Sequence, residues 1–284
     1  MEIYEYLQYG FIQRALVSGA FIALACSTLG VILVLRRFSL IGDGLAHVTF
    51  GSVALGLFLR IYPVYVSIPV VMLSSLGILT LTQRARLYGD AAIGVVSSFG
   101  IAGGVILASV AGGFNVDLFS YLFGNILAIR PEELYLSIGL SVVVLAVIVL
   151  CYHEIFSLTF DEEFARVSGI ATERLNRTLV MLTAVTVVLA MNVVGVMLVS
   201  ALLVLPAVTA LQLARGFRTA MLVSAGAALV SVTGGIFISV GLNLPSGATV
   251  VMTNFVLFLA AFAARVLRRG GETKLPPPRR DRRQ

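Results

Sequence analysis

Residues 15–59 read ALVSGAFIALACSTLGVILVLRRFSLIGDGLAHVTFGSVALGLFL, two long apolar stretches separated by Arg36 and Arg37. The hydrocarbon core of a bilayer is about 30 Å thick, and an α-helix needs about 20 apolar residues to cross it. Residues 15–35 and residues 38–59 both reach that length. This part of the chain therefore predicts two membrane-spanning helices joined by a short, positively charged loop.

The rest of the chain has the same apolar character. Of its 284 residues, 59% are hydrophobic and only 12% are charged, against about 25% charged in an ordinary soluble domain. The mean hydropathy of +1.02 is too high for one core to hide all the apolar side chains, which excludes a water-soluble globule. The two cysteines, Cys26 and Cys151, lie in apolar runs, which excludes a disulfide scaffold and a cysteine-rich zinc module.

Nine segments of the chain are long and apolar enough to span the bilayer. All of them should be helices, because an open strand edge in lipid leaves backbone groups without partners. Residues 117–129 are apolar but too short to cross, and we expect a re-entrant or interfacial helix there. The sequence predicts an all-α, polytopic membrane protein, with the sixth and seventh spans divided near Asn192. The predicted spans are 15–35, 38–59, 62–82, 91–111, 134–152, 175–191, 193–213, 219–240 and 247–267.

Arginine placement predicts the orientation of these spans, because short loops rich in Lys and Arg stay in the cytoplasm. If the C-terminus is inside, nine cationic residues in loops and eight after Phe262 are inside, 17 of the 20 in the chain. The N-terminus would then lie outside the cell (inner) membrane and the C-terminus in the cytoplasm. Residues 268–284 form a basic tail with three consecutive prolines, which we expect to be disordered. The net charge of +6 is therefore concentrated in this tail and does not indicate a nucleic-acid partner.

The second predicted span contains two side chains that could carry chemistry, Asp43 and His47. Residues four apart lie on one face of a helix, and counting from Phe38 places His47 near the bilayer midplane. An aspartate inside a membrane helix is costly and is by default a candidate functional residue. A carboxylate and a neutral imidazole suit a divalent transition metal, and two copies of the chain would supply four ligands. The spacing alone is equally compatible with a metal or proton path and with a helix-packing contact.

Between the fifth and sixth spans, the segment SLTFDEEFARVSGI predicts a short cytoplasmic helix at about 160–169. Thr159 and Glu162 have the spacing of a capping box, the acids Asp161, Glu162 and Glu163 suit a helix N-terminus, and Gly169 can end the helix. An apolar stripe at helical spacing requires a groove to enter, and acidic residues beside it favour a protein partner over anionic lipid. The stripe consists of Phe160, Phe164 and Val167.

Several signatures of other functions are absent from the sequence. It has no Gly-x-x-x-x-Gly-Lys-Ser/Thr loop, and its single lysine is Lys274, so it does not bind ATP through a phosphate loop. His153 and Glu154 are not followed by the second histidine of a His-Glu-x-x-His metalloprotease. No pattern for a nucleophilic serine or cysteine is present. These absences argue against a membrane enzyme.

Five stretches together resemble the permease subunits of zinc and manganese ABC importers. They occur in the order of that family and lie between residues 15 and 251, so the resemblance covers nearly the whole chain, and residues 1–267 would be one permease domain. The stretches are ALVSGAFIALACSTLGVILVLRRFSLIGDGLAHVTFGSVALG at 15–56, YLFGNILAI at 121–129, FDEEFARVSGI at 160–170, NVVGVMLVSALLVLPAVTA at 192–210 and LPSGATVV at 244–251.

The resemblance implies a homodimeric permease, a dimer of cytoplasmic ABC ATPase subunits and an extracytoplasmic solute-binding protein that delivers the metal. Asp43 and His47 match an acid and a histidine of the permeation path in that family. The segment from Phe160 to Gly169, including Ala165, matches its cytoplasmic coupling helix. We therefore expect transient binding of zinc, manganese or iron, no permanently bound cofactor, and ATP use only through the partner. The alternative is a self-contained secondary metal-ion transporter or channel, which would need no partner-docking helix.

Overall fold

The computed structural model describes residues 9–85, 87–111, 121–122, 124 and 130–272. Within these ranges the chain forms eleven α-helices and no β-strand, so the prediction of an all-helical, multi-span membrane protein is confirmed. The helices are α1 (Gly10–Leu35), α2 (Ile41–Leu59), α3 (Pro63–Gln83), α4 (Gly89–Val110), α5 (Pro131–Leu150), α6 (Tyr152–Phe160), α7 (Glu162–Val167), α8 (Thr172–Val194), α9 (Val199–Leu213), α10 (Phe217–Leu242) and α11 (Ser246–Glu272).

Burial separates inner helices from peripheral ones. In α1, α2 and α8, 67% of the apolar stretch is buried within the chain, whereas in α11 only 17% is buried. Helices α1, α2 and α8 therefore form the interior of the bundle. Helix α11 leaves most of its apolar surface for lipid or for another protein chain.

The predicted seventh span differs from the others. Helix α8 continues to Val194, beyond Asn192, and ends at Gly195, whose φ of +83° is accessible mainly to glycine. A 3-10 turn at Val196–Leu198 follows. Helix α9 then has 15 residues, or about 22 Å at 1.5 Å per residue. In the described part of the chain, eight helices are thus long and apolar enough to cross a membrane, and α9 is a shorter apolar helix.

The most extensive helix pairing joins α2 to α4, and glycines allow it. A Cβ atom on Gly100 would lie 2.7 Å from the Cα of Val48, and one on Gly51 would lie 2.5 Å from the carbonyl oxygen of Gly100. Gly44 packs on Ile93 in the same register. Residues later in α2 contact residues later in α4, so the two helices run parallel. Helix α3, which lies between them in the sequence, runs back in the opposite direction.

The loop between α1 and α2 is compact and delays the start of α2. Arg37 adopts a φ of +60°, and the amide of Phe38 donates to the carbonyl of Leu33 at 2.8 Å. The first helical residue is Ile41 rather than the predicted Phe38. Helix α2 therefore begins three residues later than the sequence suggested, so the side chains it carries lie nearer its N-terminal end.

Two predicted segments fall largely or partly outside the described residues. The predicted re-entrant helix at 117–129 has only residues 121, 122 and 124 described. The last helix extends through Glu272, beyond the predicted end at 267, and residues 273–284 of the predicted tail are not among those described.

Candidate functional site

Asp43 and His47 lie on one face of α2 and contact each other, as the four-residue spacing predicts. The Nε2 atom of His47 is 3.5 Å from the Oδ2 atom of Asp43. The Asp43 side chain is 54% exposed and that of His47 is 28% exposed. Asp43 is in the first turn of α2, and His47, six residues after Ile41, is about 9 Å along the helix. His47 therefore lies nearer the start of α2 than counting from Phe38 suggested, because the loop occupies residues 38–40.

The residues beside Asp43 explain why its carboxylate points away from the chain. A Cβ atom on Gly42 would meet Leu203 of α9 at 2.7 Å, and Gly44 packs on Ile93 of α4. These close approaches occupy both neighbouring faces of α2. The remaining face, which carries Asp43 and His47, is left open on the surface of the single chain.

The pair alone does not make a complete metal site. A tetrahedral transition-metal site needs four ligands, or three plus water. Among the described residues, no group of three or more His, Cys, Asp or Glu side chains could hold a metal ion. Asp43 and His47 can supply one carboxylate and one imidazole, so further ligands must come from water or from another chain.

The predicted cytoplasmic helix is present as α7, but a different residue caps it. Asp161 is the N-cap, and its Oδ1 accepts a hydrogen bond from the amide of Phe164 at 2.9 Å. Thr159 belongs to the preceding helix, where its hydroxyl donates to the carbonyl of Ile155. The predicted capping box of Thr159 and Glu162 is therefore wrong: α6 continues through Phe160 and occupies the position that Thr159 would need.

The end of α7 and its apolar stripe follow the sequence prediction. Gly169 has a φ of +86° just after the helix, as a terminating glycine should. Phe160 is 59% exposed, Phe164 63% and Val167 89%. Ala165 is fully buried on the opposite side. Helix α7 is thus fixed to the protein through Ala165 and presents Phe164 and Val167 outward, next to the exposed Glu163 and to Phe160 at the end of α6.

An aromatic cluster supports this surface from behind. The Phe160 ring lies 4.9 Å from that of Phe156 and 6.0 Å from that of Phe217, which begins α10. Tyr152 also contacts Phe217, at 5.6 Å. The sequence analysis missed Phe156 and Phe217. Phe156 is four residues before Phe160 and could have been found from helical spacing, whereas nothing local pointed to Phe217.

Glu162 points inward, unlike its neighbours in α7. Its Oε2 accepts from Nη2 of Arg36 at 3.1 Å, and its Oε1 accepts from Nδ2 of Asn176 at 2.9 Å. Nη1 of Arg36 donates to Oδ1 of Asn176 at 2.6 Å, which closes the triangle. Burial lowers the pKa of the Arg36 guanidinium, and the charge and hydrogen bond of Glu162 raise it again. We call Arg36, Glu162 and Asn176 the junction triad. Sequence reasoning missed it, because its members are up to 140 positions apart.

Comparison with known proteins gives the chain a family. The model of the ABC 3 transport family matches residues 8–265. The chain is 34% identical over 255 residues to the manganese import system permease protein ScaB of Streptococcus parasanguinis, covering 90% of this chain and 91% of that protein. It is 30% identical over 252 residues to the high-affinity zinc uptake system membrane protein ZnuB of Haemophilus influenzae, covering 88% and 96% respectively.

A solved structure agrees with these relatives in fold. PsaBC from Streptococcus pneumoniae, in complex with Fab, superposes with a TM-score of 0.82 at 29% sequence identity, covering 92% of this chain and 95% of that one. The family match extends from α1 into α11, so it includes the Asp43 and His47 pair, helix α7 and the junction triad. By sequence over nearly its full length, the chain is a member of the ABC 3 transport family.

Proposed function

We propose that this chain is the membrane-spanning permease subunit of an ATP-driven importer for a divalent transition metal, manganese or zinc, with iron as a further candidate. The observation that carries the proposal is the family match over residues 8–265, with relatives named as manganese and zinc permeases. The subunit itself is a transporter component and not an enzyme. ATP would be hydrolysed by a separate partner.

Asp43 and His47 would be part of the metal path. Their atoms lie close enough to contact one cation, and their face of α2 is open. A second copy of the chain would bring the same pair to the opposite side of the path, giving two carboxylates and two imidazoles. That set fits the ligand preferences of manganese, zinc and iron alike. The proposed homodimer thereby completes a site that a single chain leaves incomplete.

Helix α7 would be the contact with the ATPase. Its exposed Phe164 and Val167 and the adjoining Phe160 at the end of α6 are apolar, and Asp161 and Glu163 lie beside them. Aromatic and aliphatic side chains of this kind dock in a groove of a partner protein. A dimer of ABC ATPases would bind one α7 from each permease. The polybasic loops and tail favour the cytoplasm for this face, with the N-terminus outside the cell membrane.

An extracytoplasmic solute-binding protein would deliver the metal to the opposite face. The rival proposal, a self-contained secondary transporter or channel, accounts equally well for the hydropathy. It does not account for an exposed apolar stripe on a short helix outside the spans. Copurification of an ATPase with the full-length chain supports the importer, and its absence supports the rival.

Uptake by the reconstituted complex tests the proposal directly. The chain, its ATPase and its binding protein are placed in proteoliposomes, and the accumulated metal is identified by elemental analysis. We expect ATP-dependent accumulation of manganese or zinc. Accumulation that proceeds without ATP and without the ATPase would contradict the importer and favour the secondary transporter.

A further inference from the structure

The junction triad connects three elements that meet at one end of the bundle. Arg36 follows α1, Glu162 begins α7, and Asn176 is in the first two turns of α8. The Arg36 side chain is 13% exposed and Asn176 is 5% exposed. Each member bonds both of the others. Helix α7 cannot shift relative to α1 and α8 without breaking at least one of these bonds.

From Arg36 the contacts continue toward Asp43. The Arg36 guanidinium carbon lies 5.9 Å from the centre of the Phe38 ring, within cation–π range. The carbonyl of Phe38 accepts from the amide of Ile41, the first residue of α2. Asp43 is two residues further along that first turn. A single short loop thus connects the triad to the candidate metal ligand.

Phe38 also touches the helix that pairs with α2. A Cβ atom on Gly89, the first residue of α4, would lie 3.3 Å from Cε1 of Phe38. Helices α2 and α4 begin side by side and run parallel, so Phe38 lies at the N-terminal ends of both helices. Displacing Phe38 would disturb the starts of α2, which carries Asp43, and of α4, which packs beside it.

Space for such a displacement exists next to the triad. A cavity of about 160 Å³ is lined by all three triad residues together with Phe38, Ile41 and Ile78. Protein interiors are otherwise close-packed and transmit displacement instead of absorbing it. Phe38 and Ile41 can therefore shift into this cavity without overlapping other side chains.

We propose that Arg36 is a positioning residue for transport: through its bonds to Glu162 and its contact with Phe38, it transmits movement of α7 to the turn of α2 that carries Asp43. The inference rests on the proposed function, because it requires that α7 moves with an ATPase. It assigns Glu162 a role inside the permease, unlike the outward-facing residues of α7. It also assigns Arg36 a role beyond membrane orientation.

The test measures how many metal ions are moved for each ATP hydrolysed, on the same proteoliposomes of the complete complex. The single variants are Arg36→Gln and Glu162→Gln, each of which removes one charge from the triad. We expect both to lower the ratio of metal to ATP about tenfold, the size of a typical coupling between two sites. The ATPase should remain bound, because the outward stripe of α7 is unchanged.

The charge-swapped double variant, Arg36→Glu with Glu162→Arg, keeps the pair with its signs reversed. Asn176 can serve both arrangements, because its amide group both donates and accepts. We expect the double variant to recover part of the ratio lost in the single variants, which is the result of a direct interaction. A double variant no better than either single one would overturn the inference.

A matched control lies nearby on α8. Arg177 and Glu173 form an exposed ion pair at 3.3 Å within that helix, and exposed pairs of this type contribute little. Glu173→Gln and Arg177→Gln should leave the ratio unchanged. A merely structural role of Arg36 would lower uptake, hydrolysis and folded yield together and leave the ratio intact, and that outcome would overturn the inference.

Different results would contradict the proposed function and the role of the junction triad. If the parental complex shows no ATP-dependent metal uptake, both the importer and the inference are overturned. If the parental complex takes up metal and the two single variants retain its ratio, the inference alone is overturned.

Discussion

At the scale of single residues, Asp43 and His47 combine contact with accessibility. Their side chains are 3.5 Å apart, yet neither is enclosed by its own chain. A pair retained only for packing would be expected to be buried and to bond a neighbouring helix. Instead, Gly42 and Gly44 on either side of Asp43 pack closely against neighbouring helices, and the Asp43 carboxylate remains exposed. This arrangement favours a role that involves something outside the chain.

Substitution of this pair separates a metal path from a packing contact. Asp43→Asn removes the charge proposed to offset desolvation of a cation, and His47→Ala removes the proposed imidazole ligand. We expect each change to abolish metal uptake while dimer assembly and basal ATP hydrolysis persist. Yield, size-exclusion profile and uptake are measured on the same preparations. Transport at the parental rate by either variant would show that its side chain is not an essential part of the path.

Features of the site that depend on neighbouring residues of one helix could be predicted from the sequence, whereas contacts between residues distant in the chain could not. The four-residue spacing of Asp43 and His47 and the termination at Gly169 follow from local helix geometry, and both were predicted. The start of α2 at Ile41 was not predicted, because Arg37 turns in the left-handed region and delays the helix. The junction triad depends on tertiary contacts across more than a hundred residues, for which one sequence gives no signal.

At the scale of helices, the parallel pairing of α2 and α4 depends on the absence of side chains where they cross. Gly100 lies against the backbone of Val48 and His47, with no room for a methyl group. Gly103, one turn later on α4, has nothing within 4 Å of the place a Cβ would occupy. The two glycines therefore form a matched pair for testing the crossing.

Gly100→Ala should push α4 away from α2 and destabilise the protein by about 1–3 kcal/mol, the usual cost of overpacking. Gly103→Ala should be neutral or stabilising by up to about 1 kcal/mol, because alanine favours helix more than glycine does. Thermal unfolding in the same detergent measures both variants. Equal midpoints for the two would contradict the close crossing near His47.

Helix α7 allows a second test at this scale. Phe164 is 63% exposed and supplies apolar area for a partner, whereas Ala165 beside it is buried and fixes the helix to the protein. Phe164→Ala, and separately Glu163→Lys, should weaken ATPase association while the permease dimer stays folded. Pull-down of the ATPase measures this effect. Unchanged recovery of the ATPase by both variants would argue against docking through this surface.

The positions of the apolar helices could be predicted from the sequence, but the exact break between α8 and α9 could not. Length and hydropathy located the eight described helices that are long enough to span, because the bilayer imposes a minimum length, but they overestimated α9, which has 15 residues. They could not place the break between α8 and α9, which occurs at Gly195 and not at Asn192. A break inside an apolar run leaves the composition unchanged, so hydropathy could not distinguish Gly195, whose φ is +83°, from Asn192.

At the scale of the whole molecule, charge distribution is expected to set the orientation. With the C-terminus inside, 17 cationic residues are inside and only Arg14, Arg60 and Arg130 are outside. Truncation after Glu272 would remove five of the 17, namely Lys274, Arg279, Arg280, Arg282 and Arg283. Twelve would remain against three, so the positive-inside bias would still be strong.

We therefore expect the truncated chain to insert correctly and to transport metal at close to the parental rate. The tail would act only as a lipid contact, since each Lys or Arg near an anionic leaflet adds about 1 kcal/mol of attraction. Cysteine labelling from either side of the membrane measures orientation, and uptake is measured on the same vesicles. Complete loss of transport by a correctly inserted truncation would contradict this, because the tail would then act on the transport cycle itself.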